Sequence, residues 1–142
     1  MGKKIKVVFD TNVWVSIFMD KILRKQFLQT KQELTVYVST DIILEISKAI
    51  LYPRIAQRLK KADVSEREIL RIIETNSKRI IPKLKLNTLK EDANDNKTIE
   101  CALVSKADII VSGDKHLLKL CKFRKTRILT LREFFDSIQE IS

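Results

Sequence analysis

Short β-branched runs alternate along this chain with stretches in which apolar residues recur every three or four positions. Ile5-Lys6-Val7-Val8-Phe9 predicts a buried strand that stops abruptly at Asp10-Thr11-Asn12. Thr35-Val36-Tyr37-Val38 predicts a second strand, followed by Ser39-Thr40-Asp41, a helix N-cap signal. Arg79-Ile80-Ile81 before Pro82, Asp108-Ile109-Ile110-Val111 before Ser112-Gly113-Asp114, and Arg127-Ile128-Leu129-Thr130 predict three more. Between them, Ile42, Ile43, Ile46 and Ile50 share one helical face. Ser65 and Glu68 form a capping box for a helix carrying Ile69, Ile72 and Ile73, and Leu131, Phe134, Phe135 and Ile138 stripe a final helix. Strands alternating with helices predict an α/β fold in three layers, with a parallel sheet of about five strands covered on both faces. At 142 residues, with two glycines and two prolines and no repeat, the whole of 1–142 is expected to be a single domain.

That architecture carries a functional forecast. In open parallel sheets, ligands gather beyond the carboxyl ends of the strands. Asp10 and Asp114 each sit at such an end, Glu45 lies in the second turn of the helix after the second strand, and Asp95 opens the helix leading into the fourth. These four acids are therefore expected to converge on one rim. Like charges gathered there repel, at roughly 4 kcal/mol per pair ~4 Å apart in a medium of effective dielectric near 20, and a divalent cation removes that penalty. Ligands that are all oxygen favour a hard ion, Mg2+ or Mn2+, over zinc. Each acid also has a structural reading. Asp10 could cap the following helix, and Glu45 could pair with Lys48. Asp92 could be the helix cap that leaves Asp95 for the metal, or itself a ligand. Gly113 suits a tight turn presenting Asp114.

Charge and composition sharpen the substrate class. Lys+Arg number 28 against 18 Asp+Glu, a net charge of +10, which points to a polyanion and first to nucleic acid. Lys115, Lys119, Lys122 and Arg124 crowd the stretch after Asp114 and are expected to guide a phosphate backbone toward the metal. Lys21, Arg24, Lys25, Arg54, Arg58, Lys60 and Lys61 are further candidates. His116, the one histidine, is not needed as a base where a metal activates water. Trp14 is expected in the core or at a dimer interface. The two cysteines, Cys101 and Cys121, fit no metal spacing and are expected as buried thiols. No apolar run approaches the ~20 residues of a membrane span, and the apolar stretch after the basic N-terminus ends too soon for a secretory signal. A cytoplasmic protein is expected.

Val8-Phe9-Asp10-Thr11-Asn12-Val13, Glu45, Asp95-Asn96-Lys97 with Glu100-Cys101-Ala102, and Ala107 to Asp114 with Leu117-Leu118 together resemble the PIN domain family. The likeness covers essentially the whole chain and is nearest to the prokaryotic branch of toxin components, relatives of VapC-type ribonucleases. The resemblance implies cleavage of single-stranded RNA dependent on Mg2+ or Mn2+. It implies Asp10, Glu45, Asp95 and Asp114 as metal-binding acids, and Asn12 and Ser112 as polar neighbours orienting ligands or the attacking water. It also implies an antitoxin protein as partner and a homodimer. Ser112 stands where the family often has threonine, and Asn94 where some relatives have another acid. An aspartyl phosphatase would need an acid where Asn12 stands, and a receiver domain a phosphorylatable aspartate where Pro82-Lys83 stands. A PIN-like domain that binds RNA or a partner without cutting is the remaining alternative.

Overall fold

A computed structural model describes residues 3–81 and 93–141, and of 93–96 and 139–141 the backbone alone. The chain runs β1 (Ile5–Phe9), α1 (Thr11–Met19), α2 (Lys21–Thr30), β2 (Leu34–Ser39), α3 (Thr40–Ala49), α4 (Pro53–Lys61), α5 (Glu66–Asn76) and β3 (Lys78–Ile80). It continues through α6 (Ala93–Ser105), β4 (Ile109–Val111), α7 (Lys115–Leu120), β5 (Lys122–Phe123), β6 (Thr126–Leu129) and α8 (Leu131–Ile141). The described strands form one sheet in the order β3-β2-β1-β4-β6-β5. Every pairing is parallel except that of β5 with β6.

The helices begin where side chains satisfy their free N–H groups. Ser39 accepts from Ile42 N–H, and Ser65 from Glu68 N–H, as the capping pair predicts, while the Ser65 hydroxyl donates to the Glu68 carboxylate. Consecutive residues of β1 point to opposite faces, yet Val7, Val8 and Phe9 are all fully buried, so both faces of the sheet are covered. On the Phe9 side, its ring meets Trp14 of α1, Phe27 of α2 and Phe134 of α8 edge to face, with centroids 5.2–5.7 Å apart. Trp14 is thus a core residue. Helix α6 packs against β1, β2, β3 and β4. Among the described residues, no helix is long and apolar enough to cross a membrane.

The five parallel strands are as expected, and one expectation, that both cysteines are buried, is corrected. The sheet also gains a sixth, antiparallel edge strand, because 122–129 is a hairpin whose Arg124 adopts a left-handed φ of 55°. Arg124-Lys125 carries none of the Gly, Asn or Asp residues that announce such a turn. Cys101 is buried, but Cys121 is exposed. α7 ends at Leu120, and Cys121 follows with φ 57°, leaving the helix before its side chain can join the inward face of Leu117.

Candidate active site

The strand order reverses direction at β1. The chain builds outward from it through β2 to β3, then returns to its other side with β4. At that switch the connections leave the carboxyl edge in different directions and a crevice opens between them. Asp10 is the first residue past β1. Its backbone is extended, with φ −62° and ψ 157°, and its N–H donates to Val111 O of β4 at 3.0 Å. Its carbonyl then accepts from Val13 and Trp14 N–H, starting α1. Ser112 is the first residue past β4 and is fully buried. Asp114 follows it and caps α7 by accepting from His116 N–H at 2.7 Å.

Four hydrogen bonds knit these elements together. Asp10 Oδ1 accepts from Thr11 N–H at 2.8 Å and from the Thr98 hydroxyl of α6 at 3.1 Å. Asp10 Oδ2 accepts from the Ser112 hydroxyl at 2.8 Å, and that same Ser112 oxygen accepts from Asp114 N–H at 3.0 Å. One serine therefore positions both acids. Glu45 reaches in from α3, where its carboxylate meets the Lys97 ammonium of α6 at 3.3 Å.

A cavity of about 550 Å³ opens here, lined among others by Asp10, Asn12, Asp41, Glu45 and Asp114, by Lys48 and Lys97, and by Leu44 and Tyr52. Four acids against two lysines make this an acidic hollow in a chain of net charge +10. Asp10 is only 7% exposed, and burial pushes its carboxyl above the ordinary range. The bonds from Ser112, Thr98 and Thr11 pull it partly back, while the Glu45 charge pushes it up again.

The structure brings Asp10, Glu45 and Asp114 around one cavity, with Asn12 exposed at its mouth and Ser112 beneath. Asp95 is the third residue of α6, one turn before Thr98, and its side chain lies outside the described residues, as does all of Asp92. Lys115, Lys119, Lys122 and Arg124 are exposed, and none of them lines the cavity. Sequence reasoning missed Thr98 and gave Lys97 no role. The available signal was helical spacing, since Thr98 sits at i+3 from Asp95 and so shares its face.

The donor set fits a hard divalent ion, being carboxylate and amide oxygen with no histidine or cysteine among the lining residues. Among the described residues, no three such side chains converge tightly enough to hold an ion unaided. The acids surround the hollow instead of meeting at a point. A buried carboxylate whose charge is opposed both by burial and by a neighbouring acid is still the chemistry that a cation relieves.

Comparison with known proteins gives two results. The PIN domain family matches residues 6–116, a span that includes all four acids and ends just past Asp114. An uncharacterized protein of Methanocaldococcus jannaschii is 36% identical over 154 aligned positions, which cover 96% of this chain and 94% of that protein.

Proposed function

The chain belongs to the PIN domain family, and from that premise we propose that it is a Mg2+- or Mn2+-dependent endoribonuclease cleaving single-stranded RNA. PIN domains are nuclease-type folds, generally hydrolases, and typically use divalent metals. The observation that carries the reading is the acid-lined hollow at the switch between β1 and β4 in an otherwise basic chain. A basic surface draws in a phosphate backbone, and an acidic pocket within it is where a cation can sit between protein and phosphate.

Asp10, Glu45, Asp95 and Asp114 would hold the ion, with Asp92 as a further candidate. Bound there, a divalent ion supplies an activated water and offsets charge on the phosphodiester. The chain's own residues do the positioning. Ser112 fixes Asp10 Oδ2 and the Asp114 backbone together, and Thr98 holds Asp10 Oδ1. Asn12 at the mouth can donate to a phosphate oxygen or to the attacking water. Lys97 offers a fixed positive charge beside Glu45, toward which a phosphoryl oxygen can turn as negative charge grows. Lys115, Lys119, Lys122 and Arg124 supply backbone contacts beyond the cavity.

We extend the reading to a toxin of a toxin–antitoxin pair, acting in the cytoplasm as a homodimer. A small DNA-binding protein encoded beside it that copurifies with the chain and stops cleavage would support that role. One observation favours the non-catalytic alternative: Lys97 already neutralises Glu45 without a metal. The deciding experiment incubates the purified chain with single-stranded RNA and Mn2+ or Mg2+. Cleavage that EDTA stops and that Asp10→Asn or Asp114→Asn abolishes is expected. RNA bound but left intact with both metals would instead establish the binding-only domain.

A further inference from the structure

We infer that the Leu44–Tyr52 side of the acidic cavity is a stacking subsite for the nucleobase next to the scissile phosphate, and that helix α4 carries the strand onward. This rests on the ribonuclease reading of the same cavity. Tyr52 is 62% exposed and Leu44 55%, large side chains facing solvent in a hollow otherwise lined mostly by charged and polar groups. The Tyr52 backbone is clamped between two helices. Its N–H donates to Ala49 O at 3.2 Å, its carbonyl accepts from Ala56 N–H at 2.8 Å, and Pro53 follows at the first position of α4. With the backbone beneath it fixed, only the ring's own two torsions are ordered on gaining a partner.

Helix α4 then leads away from the ring with Arg54, Arg58, Lys60 and Lys61 exposed and no acid. Arg58 and Lys61 line another hollow of about 380 Å³ with Lys21, Ile22 and the α2 cap Asp20, three cations against one acid. An exposed aromatic ring flanked by an apolar side chain beside a site for phosphate, continued by an acid-free basic helix, matches the stacking platform and charged groove that bind single strands. An exposed ring leading into four cations favours a base and its phosphates over an apolar protein face.

The test measures binding of a twelve-nucleotide oligouridylate to the full chain in EDTA, alongside an abasic sugar-phosphate strand of the same length. Tyr52→Ala should weaken oligouridylate binding roughly 5- to 150-fold, the range for one stacked base, while Tyr52→Phe retains it. Both proteins should bind the abasic strand equally. Arg58→Ala with Lys61→Ala should reduce the salt slope by roughly 1.4, two contacts at about 0.7 each. Equal binding of oligouridylate by the wild type and Tyr52→Ala overturns the subsite. So does an equal loss on both strands, which would mark a structural role, or a loss confined to a copurifying protein. A chain that cuts RNA with no dependence on Tyr52 loses the subsite and keeps the nuclease. One that never cuts, yet binds through Tyr52, keeps the subsite and loses the nuclease.

Discussion

Two aspartates bracket the pairing of β1 with β4, one at each end, and the sheet uses them in opposite ways. At the amino end, Asp108 Oδ2 accepts from Lys6 N–H at 2.9 Å, an exposed bond that closes the ladder where β4 begins. At the carboxyl end, Asp10 Oδ2 accepts from Ser112 at 2.8 Å, but here the carboxylate is buried, faces a cavity and has Glu45 near enough to push its pKa up. The two local bonds are alike in length and both bridge β1 and β4. What differs is the end of the sheet. The amino edge offers Asp108 solvent and a backbone partner. The carboxyl edge places Asp10 where two crossovers diverge and leaves a hollow that other acids share. A carboxylate's role in this fold is thus set by its edge more than by its immediate neighbours in sequence.

The contrast breaks most sharply at Asp10→Asn. Loss of a ligand should cost cleavage more than the roughly 100-fold upper range for an outer-shell partner. Stability should move the other way. Because the folded carboxyl is raised above its ordinary value of 3.8, the native state binds the proton more tightly than the unfolded chain. As pH climbs from 3.8 through the raised folded value, ionisation therefore removes stability, and the cost is complete above it. Asp10→Asn should accordingly melt higher than the metal-free wild type at neutral pH and lose that advantage in acid. Mn2+ should raise the melting temperature of the wild type alone. A variant that melts lower at neutral pH would show Asp10 to be a plain structural cap.

Ser112→Ala comes next. It strips the hydroxyl that joins Asp10 to the Asp114 backbone, leaving buried polar groups unpaired at about 1–3 kcal/mol. Cleavage should fall roughly 10- to 100-fold, as for other groups that orient a ligand. Urea unfolding and cleavage assays read the two effects separately. Asp108→Ala is the matched control at the other edge. It removes one exposed bond worth about 0.5–1.5 kcal/mol and should leave cleavage unchanged. If its activity falls in step with that of Ser112→Ala, the two edges are coupled and the distinction between them fails.

Much of this was legible before any coordinates, for identifiable reasons. β1 was bounded in sequence by Lys4 and Asp10, so its apolar run and its observed limits coincide. Asp10 and Asp114 stood out because each ends a strand. Glu45 was visible only through the company it keeps, and of that company the structure places Asp10 and Asp114 around the same cavity. Beyond the i+3 spacing of Thr98 from Asp95, long-range pairings left no local trace. Thr98 reaches Asp10 across 88 positions and Lys97 reaches Glu45 across 52, and neither residue type announces such a role. Cysteine burial was equally unreadable. Cys101 sits inside α6 with its thiol pushed up to about 12 by burial, whereas Cys121 lies at a helix end whose left-handed φ no sequence rule flagged.

Gly113 gives the smallest and most diagnostic test. Its place between Ser112 and Asp114 suits a tight turn that presents Asp114. In the structure its φ is not left-handed, and a Cβ added there would meet nothing within 4 Å. Asp114 is placed instead by its own N–H on the Ser112 hydroxyl, which an added methyl does not disturb. Gly113→Ala should therefore stabilise the chain by about 0.4–1 kcal/mol, through the smaller entropy of the unfolded state, with cleavage unaltered. The urea midpoint at constant slope reads the gain. A lower midpoint or slower cleavage would mean that the glycine itself shapes the acidic edge, so that local motif and not position along the sheet decides what Asp114 can do.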